Sequence, residues 1–413
     1  MERALADVQA ELGIIPADAA ATIEREATAE KIDLPELRRH TRVVGYPILP
    51  LLQQVRASSP PDVARYLHWG ATTQDIMDTG LALIVARALD RIDVLVRALG
   101  DALAAQAAEH RATVMAGRTH AQPAVPISFG AKLAVYLAEL ARHVERLRAV
   151  RARVAVVQLF GAAGTAAALG PESRELRRLL AARLSLGIVD IPWHTARDSL
   201  AETAFALAAA AATCGKLARE VIELSRPEIG EVREVGGHHR GASSTMPQKA
   251  NPIESEAIVG LSVLAAQQVP ALLAAMHAGH ERAAGEWQVE WDAIPIVAAA
   301  AGGALAAAVR LVEGLQVFPE RMRANLELDG GTIMSEALMM AAAPLIGHGP
   351  AHDLVYRASA AARAEAKPLA EIARRDLEPG LLSALPPLEE LLDPSRYLGE
   401  TDAIVTAALE LWR

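Results

Sequence analysis

The stretch LALIVARALDRIDVLVRALGDALAAQAAEH, residues 81–110, decides the fold class. Apolar residues recur in it at three- and four-residue steps, the spacing that lines one face of an α-helix. Residues 128–150 repeat the pattern, with Leu133, Leu137, Leu140, Val144 and Leu147 on one stripe. Residues 198–225, 253–278 and 288–317 complete five such segments, each roughly 35–45 Å long at 1.5 Å per residue. Helices that long and apolar exceed what one small domain covers. They predict an all-α fold whose central five-helix bundle is buried on several sides by other subunits.

Composition agrees with this. Hydrophobic residues make up 52% of the 413-residue chain and aromatics only 3%, so the core rests on Ala, Leu and Val. Those small side chains favour helices over sheets. Residues 1–80 read as shorter helical pieces broken at Pro16, Pro35, Pro47, Pro50 and the Pro60–Pro61 pair. After residue 327 a new helical pattern starts, punctuated by Pro379, Pro386, Pro387 and Pro394. Three domains follow: a small helical one at 1–80, the long-helix bundle at 81–326, and a small helical one at 327–413. No stretch alternates clearly enough to predict a sheet.

The net charge of −9 argues against a nucleic-acid partner, which requires a basic face. It leaves an anionic substrate open, since a site needs only local cations. The single cysteine, Cys214, suits a reducing compartment. The N-terminal MERALADVQAELGIIP carries no signal pattern, and charges interrupt most apolar runs, so neither export nor a membrane span is predicted. A cytoplasmic protein is the expectation.

Against this apolar background GASSTMPQKANPIESE, residues 241–256, is unusually polar. Asn251-Pro252-Ile253-Glu254 reads as a helix start with Asn251 as cap. That leaves Ser243, Ser244 and Lys249 just ahead of a helix N-terminus, where N–H groups favour anions. A second polar cluster, GRTHAQPAVPISFG at 117–130, holds Arg118, Thr119, His120 and Gln122 at an apparent helix junction, where a lone histidine is commonly structural. A third, HWGATTQDIMDTG at 68–80, reads as a turn capped by Asp75 or Asp78. In HERAAGEWQVEWDAIP at 280–295, Trp287 and Trp291 share a helix face, as core residues would. No dinucleotide fingerprint, Walker loop, HExxH or cysteine pair is present, so neither a cofactor nor a metal is expected. His238 and His239, adjacent on a loop, are poor joint metal ligands; with Arg240 they suit a basic lid over an anionic site.

Together these clusters resemble the fumarase/aspartase superfamily, whose members carry a loop of the form S-S-x-M-P-x-K-x-N. SSTMPQKAN at 243–251 matches every fixed position. HWGATTQDIMDT and GRTHAQPAVPISFG are similar to the superfamily's first and second regions, and AHDLV at 351–355 extends the likeness into the C-terminal part. Within the superfamily the chain looks most like the branch of bacterial 3-carboxy-cis,cis-muconate cycloisomerases and adenylosuccinate lyases. Glu281-Arg282 followed by Ala-Ala-Gly, in place of the E-R-D-x-S of adenylosuccinate lyases, tilts the likeness to the cycloisomerases. Ala242 stands where relatives often have glycine, and Ala250 where this branch often has arginine, which removes a cation from the loop. MERALADVQAELGIIP resembles a segment that relatives reach after roughly 30 further residues, so the expectation is that either the start is misassigned or the nucleotide-phosphate contact of adenylosuccinate lyases is lacking.

The resemblance implies a homotetramer acting on a small polycarboxylate, with sites built from three chains and a catalytic loop near 236–251. It implies Ser243 as the carbon acid/base and His120 as the acid at oxygen, oriented by Glu256. Lys249 and Asn251 would grip the substrate anion, and Ser244, Thr119, Gln122, His68, Thr72, Thr73 and Arg282 are carried over as binding residues by position. The implied activity is lactonisation of 3-carboxy-cis,cis-muconate in aromatic-acid breakdown, the β-ketoadipate route. The alternatives are an adenylosuccinate-lyase-like enzyme releasing fumarate, or a helical scaffold that kept the fold and lost activity.

Overall fold

A computed structural model describes residues 1–237 and 240–413; His238 and His239, and with them most of the basic-lid reading, lie outside the described residues. All five predicted segments are helical: α1 (Thr73–Glu109), α2 (Phe129–Val154), α3 (Asp198–Leu224), α4 (Ile253–Ala266) continued by α5 (Gln268–Ala275), and α6 (Glu286–Glu313). The chain forms two compact units. One comprises Met1–Val94, Glu145–Ala209 and Leu264–Gly302; the other comprises Leu95–Val144, Ala210–Val263 and Gly303–Arg413. Helices α1, α2, α3, α4 and α6 contribute residues to both.

The first unit packs the short N-terminal helices around Leu5, Val8, Ile23 and Leu52, closed by Leu176 and Leu180. In the second, helices Ser335–Ile346 and His348–Glu365 bury Leu338 and Val355 against Ala373 and Leu377. Small side chains let the long helices approach closely, as the alanine-rich composition requires. Ala300, Ala301, Ala304, Leu305 and Ala308 of α6 are all buried. Gly215 of α3 faces α4, where a Cβ would fall 2.3 Å from the Ser262 Oγ, so no other residue fits without displacing α4.

Two short antiparallel pairs depart from the expectation of no sheet: β1 (Val114–Thr119) with β2 (Gln122–Ser128), and β3 (Val232–Arg233) with β4 (Gln316–Val317). The β1–β2 hairpin occupies the predicted helix junction. Its strands are short, and Pro123 and Pro126 interrupt the alternation, which hides the sheet in the sequence pattern.

Three helices, Asp198–Leu224, Ile253–Ala275 and Glu286–Glu313, are long and apolar enough to cross a membrane by length and composition, where the sequence predicts no span. The most apolar parts of the first and third are 72% and 50% buried within their own chain, whereas that of Ile253–Ala275 is only 17% buried. Val263, Leu264 and Leu273 stand exposed on it. An apolar face of that size requires cover.

Candidate active site

The hairpin places His120. β1 and β2 pair from Val114↔Ser128 to Thr119↔Gln122, with a register shift at Gly117–Arg118, leaving His120 and Ala121 as a two-residue turn. Both have positive φ, 50° and 61°. Two-residue hairpin turns of this form favour Asn-Gly, because side chains are strained there. Backbone strain of this kind persists where the surrounding structure holds it, and it concentrates at functional sites. Thr119, His120 and Gln122 are all exposed at the hairpin tip. Arg118 turns away from them: its guanidinium makes a two-pronged pair with the buried Glu231, at 2.9 and 2.6 Å, and Asn325 donates to the same carboxylate at 2.8 Å.

The loop carrying Ser243 lies in the same unit. Ser243 Oγ accepts the backbone N–H groups of Met246 (3.1 Å) and Thr245 (3.3 Å). Two N–H dipoles aimed at one hydroxyl oxygen stabilise negative charge on it, the condition a serine base needs. Ser244 and Lys249 are exposed, and Lys249 makes no ion pair among the described residues. Asn251 is not the helix cap its position predicts. The helix begins at Ile253, which puts Pro252, a residue without an acceptor side chain, at the cap position. The carboxylate of Glu234 takes over, accepting from Glu254 N (3.1 Å), Ser255 N (2.8 Å) and Ser255 Oγ (2.7 Å). Those N–H groups are therefore occupied by the protein's own anion. Glu256 is exposed on α4, and among the described residues no hydrogen bond joins it to His120 within one chain.

The remaining candidates belong to the other unit. Thr72 and Asp75 open α1 as a capping pair: Thr72 N donates to Asp75 Oδ2 at 3.0 Å. Asp75 is fully buried and also accepts from Phe160 N (3.0 Å) and Gly161 N (2.9 Å), with His194 Nε2 2.9 Å away. It thereby fixes the 160–161 backbone against the helix start. Arg282 donates to Thr72 Oγ1 (3.2 Å) and Ala162 O (3.1 Å), which brings Thr72 and Arg282 together. Thr73 is half-buried at the first position of α1. His68 adopts a positive φ of 65°, and its Nδ1 lies 2.6 Å from Glu2 Oε1. Trp287 is a core residue as predicted, whereas Trp291 is half-buried; the two pack edge-to-face with centroids 5.3 Å apart, and Trp287 also stacks on Tyr46.

Asp78 is not a cap. With Glu290 it grips Arg197 in a buried triad: Arg197 Nη1 reaches Asp78 Oδ2 at 2.8 Å and Arg197 Nε reaches Glu290 Oε1 at 2.8 Å. Burial opposes the Arg197 charge, but the two carboxylates outweigh it and raise its pKa. Burial also pushes the Glu290 carboxyl up, and Arg197 works against that rise. No short motif marks this triad, because its members are far apart in the chain: Asp78 on α1, Glu290 on α6 and Arg197 just before α3. Arg197→Met should lower unfolding stability by about 3–5 kcal/mol in urea melts, since it strands two buried carboxylates. A melt matching wild type would remove the triad's structural role.

One unit carries a strained histidine hairpin and a serine seated on backbone N–H groups, and the other carries a capped threonine turn. The chain belongs to the fumarase/aspartase superfamily. The lyase family model matches residues 17–267, and the model for the adenylosuccinate lyase C-terminus matches 331–408. A 3-carboxy-cis,cis-muconate cycloisomerase of Pseudomonas aeruginosa is 40% identical over 411 residues, covering 99% of this chain and 90% of the relative. A nitrosuccinate lyase of Streptomyces davaonensis is also 40% identical, over 99% of this chain and 88% of its own. The crystal structure of a 3-carboxy-cis,cis-muconate lactonizing enzyme from Pseudomonas putida superposes with a TM-score of 0.93 at 37% identity, covering 100% of this chain and 92% of that one. The chain is thus an enzyme of the lyase/cycloisomerase type. Equal identity to relatives named for two reactions leaves the choice of substrate to the residues of the site.

Proposed function

We propose that this enzyme lactonises 3-carboxy-cis,cis-muconate, in the cytoplasm, as a step in aromatic-acid breakdown. One substrate carboxylate oxygen adds to an alkene carbon of the diene, and the electron pair moves to the neighbouring carbon, next to another carboxylate. That intermediate, an aci-carboxylate, carries two negative charges on one group and needs fixed donors around it. Lys249 and the Asn251 amide supply them, and Ser243 delivers its proton to the carbanion. The atoms balance: one C–O bond and one C–H bond form, one C=C bond is lost, the O–H bond of Ser243 breaks and is restored by a proton from water, and the lactone acid is an isomer of the muconic acid.

The observation that carries this reading is the pair of N–H groups on Ser243 Oγ, which makes an alkoxide reachable. His120 would act at the oxygen that adds, with Glu256 on its other ring nitrogen to fix the tautomer. That pairing is not made inside one chain, and the exposed face of Ile253–Ala275 needs cover, so we assign both to a homotetramer with sites drawn from three chains. Three domains, at 1–80, 81–326 and 327–413, describe the layout around such a core. His68, Thr72, Thr73, Thr119, Gln122, Ser244 and Arg282 would bind the substrate's carboxylates.

The second reading is release of fumarate from a succinyl compound, favoured by the equal likeness to nitrosuccinate lyase. Presenting 3-carboxy-cis,cis-muconate and adenylosuccinate separately to micromolar enzyme separates the two. Loss of the conjugated-diene absorbance is the expected result; fumarate from adenylosuccinate with the diene untouched overturns it.

A further inference from the structure

We infer that Glu234 is a positioning residue of the catalytic loop, and that by capping α4 it frees the Asn251 side chain for the substrate. The inference rests on the reading of Ser243 and Asn251 given above. Glu234 ends the segment that enters the loop and is buried, yet its carboxylate makes all its contacts at the loop's exit. Both its oxygens are used, on Glu254 N, Ser255 N and Ser255 Oγ, at 3.1, 2.8 and 2.7 Å. Those are the second and third N–H groups of the helix, the ones a cap residue ordinarily serves.

Three further ties close the same neck. Asn251 N donates to Gly241 O at 2.9 Å, Ala242 pairs with Ala250 in an antiparallel bridge, and Arg240 donates to Glu254 Oε2 at 2.8 Å. Gly241 permits this approach: its φ is +69°, and a Cβ there would lie 2.4 Å from the Asn251 carbonyl oxygen. The backbone of Asn251 is therefore held while its amide group makes no hydrogen bond among the described residues. A side chain of fixed origin and unspent donors is suited to an anion. Had Asn251 capped the helix, its oxygen would be committed and its reach set by the helix.

Hydrogen exchange at Glu254 and Ser255, with turnover measured alongside, tests this on the full-length enzyme. Glu234→Ala should speed exchange of both amides about fivefold or more, the usual effect of a lost cap. It should also lower kcat/KM by displacing the loop. Glu234→Gln, which keeps one acceptor oxygen, should recover part of both. Asn251→Ala should leave exchange at Ser255 unchanged while kcat/KM falls. Exchange at the helix start that rises in Asn251→Ala as much as in Glu234→Ala overturns the assignment, as does wild-type exchange in Glu234→Ala. The exchange arm uses no substrate, so failure of the lactonisation reading appears in turnover alone.

Discussion

Ser243→Ala should reduce kcat by about 10²–10⁴-fold with KM changed little, the loss expected when a proton-transfer group is removed from the transition state alone. Lys249 and Asn251 remain in that variant, so the substrate carboxylates keep their partners and binding persists. The structure adds a reason for the size of the loss. In wild type the Thr245 and Met246 N–H groups hold charge on the serine oxygen. In the alanine variant those donors point at a methyl group, and water reaching them is neither placed nor basic enough to replace it. Stopped-flow traces with a melting curve for each variant check this. A Ser243→Ala enzyme near wild-type rate would remove Ser243 as the carbon acid/base.

The second large effect is a gain. His120→Ala and Ser243→Ala should each be nearly inactive, yet subunits of the two mixed, dissociated and reassembled should recover activity to about a quarter of wild type. If each site takes its histidine hairpin from one copy and its serine loop from another, random assembly gives some sites both natural residues. Among the described residues His120 makes no hydrogen bond to Glu256 within its own chain, which is the observation behind the prediction. A mixture no more active than its two components would place the site within single chains.

Much of the fold is legible in the sequence because apolar periodicity over long segments is a strong signal. The helices at 73–109, 129–154, 198–224 and 286–313 follow their stripes to within several residues. The hairpin at 114–128 is not legible, since two prolines in a seven-residue strand erase the alternation and the turn residues are His-Ala rather than Asn-Gly. Within the site, Ser243 and the Thr72 turn are marked by local motif. The capping relation of Thr72 and Asp75 is also visible at a three-residue spacing. Glu234 is not, because it caps a helix 20 residues away in the chain, and nothing in a spacing rule reports a cap supplied from outside its own turn. The misreading of Asn251 follows directly: Pro252, not Asn251, precedes the first helical residue. Ala242 and Ala250, the two departures from the loop pattern, prove to face each other across its neck.

One measurement tests the proposed chemistry most directly. 3-Carboxy-cis,cis-muconate is incubated with the enzyme in D2O and the product is read by NMR. A lactone with one deuteron on the carbon next to the side-chain carboxylate, delivered by Ser243, is the expected product, with little product from Ser243→Ala in the same time. Unchanged substrate, or a lactone formed as fast by the Ser243→Ala enzyme, would contradict it.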